Sequence, residues 1–197
     1  MYTLLIFIIL FYFLLIQVKL LSLTQIKYEK KNSLLEKEHS LLVCSHDYEQ
    51  NDVFIMINEF ILSKKKVTFV LADITGHQIL YYYLRFIGVF NIDFIFITDG
   101  TVNKMVDALR EDNSVVTFLR RDDKSHGIYY TLVEEDVPVY LCKITSDYLK
   151  KGDYSSLLQK YTFNFNKEYK IEYDNYNNKI IDNEDVFMNN IMNQLYN

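Results

Sequence analysis

His46 is the residue in this chain best placed to move a proton. It follows the apolar run Leu42-Val43-Cys44-Ser45 and is itself followed by Asp47, Glu49 and Asp52. A histidine at the exit of a strand, with a carboxylate about one turn later at a helix start, makes a workable general base. The carboxylate fixes the imidazole tautomer and stabilises the imidazolium formed when a proton is taken up. A loop histidine with no chemical role is the plain alternative. A second concentration of functional groups, Arg120-Arg121-Asp122-Asp123-Lys124-Ser125-His126, precedes Gly127. A donor-rich loop between a strand and a helix can hold a phosphate; its alternative is a solvated loop whose arginines and aspartates neutralise one another. His39, His77 and His126 have no metal-ligand spacing with each other or with Cys44 and Cys142. Neither a glycine-rich phosphate loop nor a Gly-x-Ser-x-Gly elbow occurs.

These groups need elements to position them, and the apolar pattern supplies a set. Leu41–Cys44, Val67–Leu71, Phe94–Thr98, Ser114–Leu119 and Val137–Ile144 read as strands. Between them lie amphipathic stretches: a helix capped by Asp52 and running to Ser63, one over Ile74–Ile87 stopped by Gly88, one over Val102–Glu111, and a short one over Gly127–Glu135. Strands alternating with helices of about ten residues imply parallel strand–helix–strand units, with helices on both faces of the sheet. After residue 160 the pattern changes to a strand or hairpin over Tyr161–Tyr173, a turn over Asp174–Asn178 and an amphipathic helix over Glu184–Leu195. The expected fold is therefore α/β, a mostly parallel sheet flanked by helices.

One helix precedes it. From Leu4 to Ile16 the only polar group is the phenol of Tyr12, and apolar character continues past Gln17 and Lys19 to Leu23. As a helix, Tyr2 to Leu23 measures about 33 Å, enough for a hydrocarbon core of about 30 Å. A cleaved signal peptide would want a basic start, a shorter core and a small-residue cleavage site. The chain thus divides into a transmembrane anchor over 1–23, a juxtamembrane linker or helix over 24–40, and an α/β domain over 41–197. Lys27, Lys30, Lys31 and Lys37 follow the anchor, which places the C-terminal domain in the cytosol by the positive-inside rule. Two cysteines make no disulfide framework, and a net charge of −5 leaves no basic footprint for nucleic acid.

The order of these pieces, over about residues 30–195, resembles the glycerolipid or lysophospholipid acyltransferase superfamily, the lysophosphatidate acyltransferase-like enzymes. In that family a strand leads into an Asn-His-x-Ser-x-x-Asp type motif at a helix start; Leu41-Leu42-Val43-Cys44-Ser45-His46 stands in that place, with Asp52 opening the helix. A later family strand ends Phe-Pro-Glu-Gly-Thr-Arg-Ser; here Ser114-Val115-Val116-Thr117-Phe118 is followed by Leu119-Arg120-Arg121. The next family strand opens on a proline between β-branched residues, matched by Val137-Pro138-Val139, which holds the chain's one proline. The motifs are degenerate. The family places four residues between its His and Asp, whereas Asn51 occupies that position here and Asp52 follows one later. The family's Glu and Gly are Arg120 and Arg121, and no arginine lies between Gly88 and Gly100.

The resemblance implies an acyl group passed from a thioester donor to a lysolipid or glycerol hydroxyl at a membrane. His46 would be the base and Asp52 its partner, with Arg120, Arg121 and Gly127 binding substrate phosphate. Acyl-CoA would be the co-substrate, with no bound cofactor and no metal, and membrane lipid and lysolipid would be the partners. The alternative is an inactive member of the same fold that serves as a membrane-bound lipid-binding or interaction module.

Overall fold

The computed structural model describes residues 2–25, 28–31, 39–46, 50–63, 65–72, 74–121, 127–145, 169–175 and 183–196. Their elements run α1 (Tyr2–Gln25), β1 (Tyr28–Lys31), β2 (Leu41–Ser45), α2 (Gln50–Ser63), β3 (Val67–Leu71), α3 (Ile74–Phe86), β4 (Ile92–Phe96), α4 (Thr101–Arg110), β5 (Ser114–Leu119), α5 (Gly127–Glu134), β6 (Val139–Thr145), β7 (Tyr169–Asn175) and α6 (Glu184–Tyr196). The strands form one sheet in the order β1-β7-β6-β2-β5-β3-β4. From β6 to β4 every pairing is parallel; β7 then runs antiparallel to β6, and β1 parallel to β7. The expected α/β architecture is present, with an antiparallel extension on one side.

Connection direction decides where the helices go. From β2 the chain moves past β5 to β3 and then β4, whereas from β5 it returns past β2 to β6. Right-handed crossovers then put α2 and α3 on one face and α4 and α5 on the other. The buried side chains agree. Leu42, Cys44, Phe69, Val116 and Cys142 face a core shared with α2 and α3. Leu41, Val43, Val70, Val115 and Leu141 face a second core, made with α4, α5 and α6. Neighbouring residues of one strand alternate between these cores, as the pleat requires, so strands covered on both faces read as unbroken apolar runs.

Several boundaries differ from the sequence reading, each for a local reason. Residues 28–31 form a strand within the stretch read as linker; Tyr-Glu-Lys-Lys carries no apolar signal, and its place is given by backbone pairing to β7. Strand β4 starts two residues earlier than expected. It ends the sheet, and Asp93, which accepts from the Phe94 amide at 3.0 Å, hides the alternation. Gly88 closes α3 with φ 81°, the left-handed conformation that favours glycine.

Helix α1 is docked rather than detached. Ile16 is buried in the α2–α3 core, and the Phe13 ring meets Tyr83 at 5.3 Å and Phe86 at 5.6 Å. With α1 over it, α2 is buried on every face from Asp52 to Phe60. This helix was expected to span a membrane; the side chains described in it run from Leu5 to Val18, and among the described residues no helix is long and apolar enough to cross a membrane.

Phe69 joins this core to the carboxyl end of the sheet. Its ring packs edge-on against Phe60 and Phe94, at 5.9 and 6.0 Å, and stacks on Phe118 at 6.4 Å. Phe69→Ala is expected to destabilise the chain by about 3–5 kcal/mol, the usual cost of a Phe-sized cavity, read as a lower denaturant midpoint at unchanged m-value.

Candidate active site

Strands β2 and β5 pair in parallel with Ser45 opposite Leu119, so they end together. The connections that leave them diverge to opposite faces, which opens a crevice at their carboxyl ends. His46 stands at that exit on one strand and Arg120 and Arg121 on the other. The Ser45 hydroxyl accepts the Ile144 amide at 3.2 Å and so ties the exit of β2 to β6 as well.

Asp52 lies in the first turn of α2, two residues inside the helix that it was expected to cap. A carboxylate there is favoured by the helix dipole. Its Oδ2 is 3.4 Å from His46 Nδ1, with the aspartate side chain 0% and the histidine side chain 15% exposed. That is a close ion-pair contact, slightly beyond the usual hydrogen-bond range of about 2.7–3.2 Å. Since Nδ1 is enclosed, the remaining exposure belongs to the rest of the side chain. Burying a carboxylate is costly unless it is paired and hydrogen-bonded, and the His46 imidazole is a close cationic partner available to Asp52 when protonated.

Two further groups hold His46. The Phe118 ring lies 5.5 Å from the imidazole, backed by Phe69. The His46 amide donates to the Tyr196 hydroxyl at 3.1 Å, and that hydroxyl donates in turn to the Leu119 carbonyl. Tyr196 thus bridges the two strand exits from the last turn of α6, while the Arg121 guanidinium sits 4.9 Å above its ring. Sequence reasoning missed Tyr196. It is 150 positions from His46 and ends an ordinary amphipathic helix, so nothing local marks it.

His46, Asp52 and, through Tyr196, Arg121 therefore share one end of the sheet. Arg120 is exposed beside them. Gly127 opens α5, where its carbonyl accepts the Thr131 hydroxyl at 2.8 Å; no contact joins it to the His46 group among the described residues. Asp47, Glu49 and residues 122–126, the rest of the donor-rich loop, lie outside the described residues. His39 is occupied elsewhere, 3.3 Å from Asp112.

Cys44 precedes this site but is no nucleophile. It is fully buried, and burial pushes its thiol well above the usual range, helped by the hydrogen bond to Cys142 and by the charges of Cys142 and Asp52. Two outcomes are expected. Tyr196→Phe should speed hydrogen exchange at the His46 amide and cost about 1 kcal/mol, the worth of an ordinary hydrogen bond, with the fold retained by circular dichroism. The pH dependence follows from Cys44. In the unfolded chain its thiol ionises near 9.0 and in the folded chain only at higher pH. Its contribution is therefore full below that range and is lost as pH rises through it, by at most about 1.4 kcal/mol per pH unit. The denaturant midpoint should fall above that pH, and fall less in Cys44→Ala. No family model matches this sequence and no curated protein matches it, so the residues at the two strand exits carry the functional reading.

Proposed function

We propose that the chain is a membrane-associated acyltransferase that passes an acyl group from a thioester donor, such as acyl-CoA, to the hydroxyl of a lysolipid or glycerol derivative. The observation that carries this reading is the buried Asp52 carboxylate held 3.4 Å from His46 Nδ1, at the exits of two adjacent parallel strands. A neutral imidazole that points Nδ1–H at Asp52 keeps the Nε2 lone pair for a substrate. His46 takes the acceptor's hydroxyl proton as its oxygen attacks the thioester carbonyl carbon. The tetrahedral intermediate then collapses: the carbon–sulfur bond breaks, and the imidazolium returns its proton to the leaving thiolate. Asp52 stabilises the imidazolium between these steps. Arg121, over Tyr196, and the exposed Arg120 supply cations for a phosphate on the acceptor or on coenzyme A. Helix α1 attaches the domain to the membrane. The family's Glu-Gly pair is Arg-Arg here, which changes the charge offered to the substrate's polar end.

The test is acyl transfer from a labelled thioester to a panel of lysolipids and glycerol phosphates. His46→Ala and Asp52→Asn are each expected to lower the rate by about 10²–10⁴-fold, the worth of a positioned general base, with thioester binding retained. Asn51→Asp, which restores the family's spacing, should leave the rate unchanged because Asp52 already serves. Transfer that survives in His46→Ala would end the role given to His46, whereas a wild type with no transfer to any acceptor would end the enzyme reading and favour the binding module.

A further inference from the structure

The amino end of the sheet, opposite His46, carries a second surface. Helix α3 returns there, and its last turn and the following loop leave Phe86 and Phe90 74% and 71% exposed, with Tyr82 and Ile87 also open to solvent. The loop is rigidly tied. The Asn91 amide donates to the Phe60 and Lys65 carbonyls at 3.1 and 2.7 Å. Arg85 donates to the Val89 carbonyl at 3.2 Å and lies over the rings of Tyr81 and Phe90 at 4.9 and 5.6 Å. Such fixed, bare aromatics, with Lys66 exposed nearby, are not a frayed turn.

Helix α1 meets the same surface. Phe13 touches Tyr83 and Phe86, Ile16 enters the core, and every residue from Leu5 to Phe11 is exposed. The first turns of α1 therefore project past the Phe86–Phe90 end of the sheet, bare on all sides. A protein groove covers one face of a helix. A helix that is apolar on all its faces needs a surrounding apolar medium.

We infer that the chain sits in one leaflet of a bilayer. The projecting turns of α1 enter the acyl chains, and Tyr82, Phe86, Ile87 and Phe90 rest at headgroup level as a platform that stops deeper entry. Residues 2–11 at 1.5 Å each measure about 15 Å, half of a hydrocarbon core of about 30 Å. At Phe13 and Ile16 α1 is held by the domain, and it cannot follow them without giving up that docked face. Aromatic side chains at the level of the headgroups, with Arg85 and Lys66 beside them, suit that boundary. The inference rests on the membrane attachment proposed above and not on acyl transfer.

The experiment uses the full chain in phosphatidylcholine–phosphatidylglycerol vesicles, with single-cysteine variants Leu5→Cys, Phe11→Cys and Phe90→Cys carrying an environment-sensitive fluorophore. The native Cys44 and Cys142 are buried and are not labelled in the folded protein. Quenchers placed shallow and deep on the lipid chains report depth. The expected result is a Leu5 probe quenched best by the deep label, with the Phe11 and Phe90 probes quenched best by the shallow one. Tyr82→Asp with Phe90→Asp, at positions 64% and 71% exposed, should lower vesicle partitioning at least several-fold, with the fold checked by circular dichroism. A Phe11 probe near the midplane with Leu5 reachable from the far side means a spanning helix and overturns the one-leaflet seat. A Phe90 probe in water overturns the platform. Absence of vesicle binding, or a soluble oligomer in which α1 packs on other copies, overturns both the seat and the membrane reading, while acyl transfer to a soluble acceptor is judged separately.

Discussion

The parallel pairing of β2 with β5 is the constraint on which the site depends. Neither strand follows the other in sequence, and each sends its next helix to the opposite face. Only because the two lie side by side, with Ser45 opposite Leu119, do the His46 exit and the Arg120–Arg121 exit open at one crevice. The pairing is stabilised from both sides: Leu42 and Val116 go into one core, and Leu41 and Val115 into the other. A slip of one residue would exchange the two faces and expose every one of these side chains to the wrong partners. The register that keeps the core is therefore the register that sets the site.

Within that crevice a chain of contacts carries order from the core to the imidazole. Phe60, Phe69 and Phe118 pass packing from α2 to the His46 ring. Tyr196 supplies what packing lacks, a directional tie between the two exits, and it comes from a helix on the other face. His46 is thus gripped from α2 through Asp52, from β5 through Phe118 and from α6 through Tyr196. Placement by three separate elements preorganises a side chain.

How much of this is legible in the sequence follows from how local each feature is. Strands β3 and β5 are covered on both faces, so their apolar runs delimit them to the residue. Strand β1, Tyr-Glu-Lys-Lys, carries no apolar alternation, and backbone pairing to β7 places it, so no side-chain pattern announces it. The His46–Asp52 pair is visible because both partners fall within one strand–helix turn. Tyr196 is invisible because its role depends on where α6 docks. The apolar character of α1 is plain in the sequence, but an unbroken apolar helix looks alike whether lipid surrounds it or a domain covers one side of it. Among the described residues, Ile16 and Phe13, seated against α2 and α3, tell the two apart.

The two ends of the sheet then bear on each other. Strands of five residues, at about 3.3 Å per residue, hold the His46 end some 17 Å or more from the Phe86–Phe90 end. With the amino end seated on a bilayer, the carboxyl end faces water. A lysolipid lying in that leaflet would have to leave it to reach Nε2, whereas an acceptor dissolved in water, or one lifted out with its phosphate held by Arg120 and Arg121, would arrive directly. Arg120 and Arg121 would fit that demand, because an acceptor no longer held by the membrane must be held by its charge. In the proposed acyltransferase, membrane attachment and catalysis would then be coupled through location alone, α1 fixing where it works and the β2–β5 crevice fixing what it works on.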